Sequence, residues 1–151
     1  MTFFSLTIRP FVAEDTPALS RIWRAASEQA HGFFSPQQLA EQQGLVETVY
    51  LANSETWVAL QGREPVGFIG LLPDDRGAFV GGVFVNPTVQ GQGIGRALLD
   101  HARALKSGLR LEVYEANTQA RGFYASLGFR ETGRREVDDN GLPFPLLKLD
   151  I

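Results

Sequence analysis

Cysteine is absent from this chain, which excludes disulfides, thiolate metal sites and cysteine nucleophiles and agrees with a reducing compartment. Only two histidines occur, His31 and His101, too few for a histidine-built zinc site, and no metal is expected. An excess of basic charge is also missing. Fourteen Lys and Arg stand against 17 Asp and Glu, a net charge of −3 at pH 7 with a pI near 5.4. Nucleic-acid binders have the opposite balance, so nucleic acid is not an expected partner. Nowhere do eighteen uncharged apolar residues run together, and the opening MTFFSLTIRPF lacks a basic segment followed by an apolar one. No membrane association is expected, and the chain reads as cytoplasmic. Repeats, low-complexity tracts and composition breaks are lacking too, so residues 1–151 are expected to form one domain.

What is present is an ordinary globular composition, 44% hydrophobic and 21% charged, in a chain long enough to bury roughly 68–70% of its unfolded surface. Leu6 to Phe11 alternates as a strand and ends at Asp15-Thr16-Pro17, where Asp15 is expected to cap a helix and proline suits its first turn. Leu19, Ile22, Trp23, Ala26 and Ala30 then gather on one helical face, and Ser35-Pro36 restarts a helix toward Tyr50, weakened at Gly44. Three extended segments follow, Thr56 to Leu60, Pro65 to Leu72 and Ala78 to Val85, which predict an antiparallel meander. The third is apolar on both alternating faces, which predicts a central strand covered by helices on each side.

Ile94, Leu98, Leu99, Ala102 and Leu105 form the next helical stripe, with Gly108 expected as a left-handed cap before a strand from Leu109 to Tyr114. A helix from Asn117 to Leu127 follows. Strands Phe129 to Val137 and Phe144 to Leu149 are then expected to meet in a tight hairpin at Asn140-Gly141. The fold class predicted is α+β, a three-layer αβα domain around a mixed, mostly antiparallel seven-stranded sheet with helices on both faces.

The stretch richest in chemistry is Gln90-Gly91-Gln92-Gly93-Ile94-Gly95-Arg96, between the central strand and a helix. A helix N-terminus leaves about four amides unpaired and carries roughly half a positive charge, so it receives anions. Alternate glycines remove the Cβ atoms that would hold a diphosphate off those amides, and Arg96 adds a cation. A nucleotide P-loop would need Lys and then Ser or Thr after the last glycine, where this chain has Arg96-Ala97. A dinucleotide fingerprint needs a glycine at its sixth position, where this chain has Arg96 or Leu98.

With these residues in hand, the chain resembles the GNAT superfamily of acyl-CoA-dependent N-acetyltransferases. Val85, Gln90, Gly93 and Gly95 match the family's phosphate motif at every position, and Asn117, Ala120, Phe123, Tyr124, Gly128 and Phe129 match its downstream motif. The ending Asp138-Asp139-x-Gly141-x-Pro143-Phe144-Pro145-Leu146-Leu147 looks like that of a small bacterial branch of it. The resemblance implies acetyl-CoA (coenzyme A) as cosubstrate, its pyrophosphate cradled by residues 90–96. It also implies that Val83, Phe84 and Val85 offer main-chain groups to the acyl and pantetheine portion, and that Asn117, Ala120 and Phe123 belong to the same binding region. Asn117 reads equally as a helix cap. Tyr124 stands at the family's thiolate-facing tyrosine, the implied catalytic group.

Attack on a thioester needs an unprotonated amine, and taking a proton from a lysine-like amine at pH 7 costs roughly 4.6 kcal/mol. The acidic residue that many family members carry on the central strand is missing between Phe79 and Val85. Glu112, Glu115, His31 and Asp138 are the substitutes within reach, and none is assigned. The acceptor is expected to meet His31, Phe33 and Phe34 of one loop and Asp138 and Phe144 of another, the phenylalanines as an exposed apolar slot and Asp138 with Asp139 as an attraction for a cationic amine. His101 is read as a helix residue with a satisfied ring, and Arg103 and Lys106 as cations favoured by the helix dipole in preference to partners of the ribose phosphate of coenzyme A. The function expected is acetyl transfer from acetyl-CoA to a primary amine, of a small molecule or a protein lysine, by direct attack. The alternative is a noncatalytic acyl-CoA-binding or sensing module. Family resemblance also allows a homodimer.

Overall fold

The structure, a computed structural model, describes residues 5–30 and 32–151. Strand β1 (Leu6–Pro10) is followed by a 3-10 turn, Ala13–Asp15, and helix α1 (Thr16–Ala30). Asp15 does not cap α1 as expected. Its carboxylate reaches backward, taking two hydrogen bonds from Arg9 (2.7 and 2.9 Å) and one from the Val12 amide (3.0 Å), and so ties the turn to β1. The Arg9 hydrogen bonds hold the Asp15 carboxyl below its ordinary range, against the opposing effect of its burial.

Helix α2 (Pro36–Leu45) starts on a reciprocal cap: Gln38 donates its amide to Ser35 Oγ (3.1 Å), and the Ser35 amide donates to Gln38 Oε1 (2.8 Å). The helix expected to run on to Tyr50 widens instead into a π turn, Val46–Tyr50, and closes in the short α3 (Leu51–Asn53). Val46 and Leu51, five residues apart, are both buried, a spacing that i→i+5 bonding serves and α-helical bonding does not.

The predicted meander is present as β2 (Glu55–Gln61), β3 (Glu64–Asp74) and β4 (Gly77–Val85). After α4 (Ile94–Leu105) come β5 (Leu109–Tyr114), α5 (Thr118–Ser126), β6 (Arg130–Arg135) and β7 (Leu146–Asp150). The sheet order is β1-β2-β3-β4-β5-β7-β6, with β4 central and β4–β5 the parallel pair. Helices α4 and α5 bury Leu98, Leu99 and Tyr124 against Ile69, Val80 and Leu111 on one face. Helices α1 and α2 bury Leu19, Trp23 and Leu39 against Val58 and Phe68 on the other. This is the expected three-layer arrangement.

Two turns differ from expectation. Gly108 is not a left-handed cap: Lys106, with φ −122 and ψ 147, ends α4 in an extended conformation. The tight approach here constrains Gly77 instead, because a Cβ on Gly77 would lie 2.0 Å from the Gly108 carbonyl oxygen, whereas a Cβ on Gly108 would lie 3.2 Å from the Arg76 carbonyl oxygen. The Asn140-Gly141 turn does not join two strands directly. Strands β6 and β7 stop at Arg135 and start at Leu146, and the turn sits inside the intervening loop, closed by the Gly141 amide on the Asp138 carbonyl (3.0 Å). Asp138 anchors that loop from within, which draws the chain out of the ladder.

The feature that positions the site is a break between the parallel strands. Gly70 faces Gly82 and Leu71 faces Val80, so Gly81 is an extra residue bulged out of β4. Pairing of β4 with β5 ends at Val80↔Leu111, while β4 continues along β3 to Val85 and β5 continues along β7 to Tyr114. The unpaired edges of Gly81–Val85 and Glu112–Tyr114 bound a wedge.

Candidate active site

At the upper end of β4 the Asn86 amide bonds to the Val66 carbonyl (2.8 Å), and Asn86 Oδ1 accepts from the Thr88 amide (3.1 Å), starting a 3-10 turn at Pro87–Val89. The glycine loop follows. Gly91 and Gly93 have φ of +81° and +82°, a backbone shape that costs an L-residue side chain about 1–2 kcal/mol. The first backbone bond into α4 runs from the Ala97 amide to the Gly93 carbonyl (3.0 Å). Among the described residues, the amides of residues 91–96 make no backbone–backbone hydrogen bond, so they form an exposed crown of donors at the positive end of a 12-residue helix.

Gln90, Gly91, Gln92 and Gly93 are exposed. Gln92 Oε1 accepts from Gln61 Nε2 at 3.0 Å, which steadies the loop against β2. Ile94 is buried in the core, so only its main chain can face a ligand. At Gly95 an added Cβ would lie 3.3 Å from the Phe123 ring, the contact by which α5 approaches the start of α4. Arg96 is exposed and only loosely paired, 3.9 Å from Asp100. These residues fit a diphosphate: unpaired amides, no side chains at the two left-handed positions, and a mobile cation beside them.

Below the loop, Val83 and Val85 pack toward α4 and α5, while Phe84 turns to the α1 side against Phe68 and Trp23, with ring centroids 5.1 and 6.4 Å apart. The Asn117 amide bonds to the Tyr114 carbonyl (2.9 Å), and Asn117 Oδ1 accepts from the Ala120 amide (3.1 Å), so the expected cap stands where β5 leaves the wedge. Ala120 and Phe123 are half-buried against the α4 core. Tyr124 is buried, with ring centroids 5.3 Å from Phe123 and 5.4 Å from Phe129. Burial pushes its hydroxyl up to about 12. Against a thiol near 8.5, full proton transfer from this tyrosine is then uphill by roughly 5 kcal/mol, so the group can donate a hydrogen bond but not readily a proton.

The acceptor-side residues come together, but not as an exposed slot. Phe34 is buried, and Phe33 and Phe144 are half-buried. Phe33 lies 4.8 Å from both Phe34 and Phe144, and the edges of Phe33 and Phe34 meet Tyr114 at 5.3 and 5.4 Å. Stacking of the two loops over the end of β5 removes these rings from water. Asp138 is also not a surface charge: it is 4% exposed, and Oδ1 accepts from the amides of Asn140 (2.9 Å) and Leu142 (3.0 Å). Asp139 does remain at the surface, 3.1 Å from Arg135. His31 lies outside the described residues.

The other substitute bases are engaged as well. Glu112 takes both hydrogen bonds of an Arg135 fork (2.6 and 3.0 Å), and Glu115 pairs with Arg134 (2.7 Å). One further expectation fails: His101 Nε2 is buried without a hydrogen-bond partner among the described residues, its ring against Trp57 at 4.4 Å. Lys106, at the end of α4, also has a side-chain partner: its ammonium bonds Glu55 Oε1 (2.9 Å), and Trp57 Nε1 donates to Glu55 Oε2 (3.0 Å). The Trp57 bond, then that of Lys106, lowers the Glu55 carboxyl below its ordinary range.

Tyr114 is the residue that sequence reasoning missed. The alternation of Leu109, Leu111 and Val113 into the α4 core already placed Arg110, Glu112 and Tyr114 on the opposite face of β5, the face of the acceptor loops.

Comparison with known proteins bears on the family and the fold. Residues 52–131 match the model of the acetyltransferase (GNAT) domain. The chain is 43% identical over 145 residues to the peptidyl-lysine N-acetyltransferase YjaB of Salmonella typhimurium, covering 95% of this chain and 97% of that protein. The solution structure of apo YjaB from Escherichia coli superposes with a TM-score of 0.85 at 38% identity, covering 97% of each chain. The PaiA N-acetyltransferase of Thermoplasma acidophilum, solved in complex with coenzyme A, shares the fold with a TM-score of 0.78 at 20% identity, covering 95% of this chain and 98% of that one.

Proposed function

The chain belongs to the acetyltransferase (GNAT) family, and from that premise we propose that it moves the acetyl group of acetyl-CoA to the side-chain amine of a protein lysine by direct attack. The observation that carries the reading is the wedge between β4 and β5, which has a crown of free amides at its head and an aromatic floor at its acceptor side. Acetyl-CoA supplies the activated thioester. Amides 91–96 and Arg96 hold its diphosphate, and Val83, Phe84 and Val85 present an unpaired strand edge to the pantetheine, with Asn117 at the other rim.

Tyr124 donates a hydrogen bond to the departing sulfur, which lowers the barrier without a proton having to cross. Lysine rather than a small amine is favoured by the identity and near-complete coverage shared with a peptidyl-lysine acetyltransferase. Glu112, Glu115 and Asp138 are each engaged by donors and His31 lies outside the described residues, so no side chain is assigned to take the amine's proton, which passes to solvent. The noncatalytic alternative draws on the missing acid of β4, and the identity shared with a named acetyltransferase over nearly the whole chain weighs against it.

The test couples two measurements on the purified chain. Calorimetry with coenzyme A is expected to show binding, and mass spectrometry of single-lysine peptides incubated with acetyl-CoA is expected to show a gain of one acetyl group on the lysine. Coenzyme A binding without acetylation of any peptide overturns the lysine assignment, and absence of binding overturns the cradle.

A further inference from the structure

We infer that Lys148 is an acetyl acceptor of this same chain: the wedge between β4 and β5 acetylates the lysine on its own neighbouring strand, β7. Only two of the 14 basic side chains are lysine, Lys106 and Lys148. Arginine, always charged and no nucleophile at neutral pH, supplies the rest of the positive charge. A chain that acetylates lysine thus carries almost none of its own, and the two it keeps are in opposite states. Lys106 is closed off: its side chain is 19% exposed and its ammonium bonds Glu55 Oε1 at 2.9 Å. Lys148 is exposed, and its ammonium makes no hydrogen bond or ion pair among the described residues.

Its place in the sheet brings it to the chemistry. Lys148 of β7 is paired with Glu112 of β5. Glu112 is the first residue of β5 beyond Val80↔Leu111, the last pair of the β4–β5 ladder, so Lys148 stands at the level where the wedge opens. One strand spacing, about 4.8 Å, separates it from β5, the wall of the wedge. The face is right as well. Directly paired residues project to the same side of a sheet, and Lys148 and Glu112 line one open depression of about 530 Å³ on the side of the acceptor loops.

No polar contact fastens the side chain away from the wedge. Its stem rests on Gly133 of β6, where an added Cβ would come within 3.2 Å of Lys148 Cδ. That is contact with bare backbone, and an exposed four-carbon stem exchanges rotamers in picoseconds to nanoseconds. Swinging toward β5 carries the ammonium past Glu112, whose carboxylate already takes both hydrogen bonds of the Arg135 fork. Tethered one strand from the wedge, Lys148 has an effective concentration there of roughly millimolar or above, so at micromolar protein it meets its own wedge before that of another copy.

The transfer balances as for any lysine acceptor. Lys148 Nζ, once neutral, forms an N–C bond with the thioester carbon of acetyl-CoA as the C–S bond breaks. Of the two protons the ammonium gives up, one ends on the departing thiolate and one in solvent. The product is a neutral amide, so the chain becomes more negative by one charge. This inference rests on the acetyltransferase reading, and a peptide acceptor run in parallel separates the failure of one from the failure of the other.

The test incubates the purified chain with isotope-labelled acetyl-CoA, beside a terminally blocked single-lysine peptide, and locates the label by mass spectrometry after cleavage at Asp and Glu. The label is expected at Lys148 and not at Lys106. Its rate per molecule should hold within about twofold when the protein is diluted about tenfold, and should fall on the order of tenfold when unlabelled coenzyme A is added in about tenfold excess. Lys148→Arg should take up no label while acetylating the peptide at the parent's rate. Labelling that persists under excess coenzyme A is uncatalysed and overturns the inference. A rate that drops in step with dilution overturns it too, since transfer is then between copies. Acetylated peptide with Lys148 untouched overturns the inference alone. Label on Lys148 with the peptide untouched upholds it and removes only the peptide as acceptor, and label on neither overturns it together with the acetyltransferase reading.

Discussion

Removing one oxygen from Tyr124 separates chemistry from architecture. The residue is buried between Phe123 and Phe129, and no hydrogen bond engages its hydroxyl among the described residues. Tyr124→Phe therefore leaves no orphaned partner and should change stability at neutral pH by less than about 1 kcal/mol. If the hydroxyl hydrogen-bonds the departing thiolate, a charged acceptor, its loss costs about 1.5–3 kcal/mol at the transition state, or roughly a 13- to 150-fold fall in kcat. Coenzyme A affinity should hold within about twofold.

The pH behaviour gives a second readout. With the hydroxyl pushed up to about 12 by burial, Tyr124 stays protonated from pH 6 to 10, and the shape of the kcat profile there should be identical in both proteins. Because the folded value lies above the unfolded one near 10, the stability it contributes is complete below pH 10 and is lost as pH rises toward 12, at most about 3 kcal/mol. Denaturant titrations should show this alkaline loss in the parent and not in the variant. Unchanged kcat with coenzyme A still bound would refute the catalytic assignment, and an alkaline limb near pH 9 that vanishes in Tyr124→Phe would refute the effect of burial.

Other substitutions report on the cradle and the frame. Gly93→Ala puts a side chain on a residue with φ +82° where nothing lies within 4 Å, so the free loop relaxes out of the left-handed shape and must regain it to bind: coenzyme A binding should weaken about 5- to 30-fold by calorimetry with little change in melting temperature. Gly77→Ala forces a Cβ to 2.0 Å from the Gly108 carbonyl and should abolish soluble folded protein, as judged by circular dichroism. Asp15→Asn should lower stability by about 1–2 kcal/mol at pH 7. Since Arg9 holds the Asp15 carboxyl below 3.8, the contribution is present above that pH and lost as pH falls below it, so the two proteins should converge in acid denaturation.

Periodicity made most of the frame legible. The stripes Leu19-Ile22-Trp23 and Ile94-Leu98-Leu99, and the doubly apolar run of β4, identified which faces meet, and the helices and central strand lie accordingly. Side-chain commitments did not follow from the pattern. Asp15 looked like a forward cap because the residues after it are helical, yet Arg9, six residues earlier, competes for the same carboxylate and wins by two hydrogen bonds. Gly108 suggested a left-handed cap, but its backbone packs against Gly77, 31 residues away, where any side chain would collide with it, and no local rule reports that approach.

The candidate site divides along the same line. The amide crown is a local property of a strand, a glycine loop and a helix start, so its place could be read from residues 85–96. The acceptor side is built by distant segments, and there polar side chains read as solvent-facing were drawn inward. Asp138 lies in a loop whose sequence is that of a solvated turn, but burying Phe34 and half-burying Phe144 over β5 carries the loop against Tyr114, and an inward carboxylate must then find donors. The wedge itself depends on Gly81, which stands opposite no residue of β3. One inserted position ends the β4–β5 ladder at Val80 and converts what would be a continuous sheet into two unpaired edges.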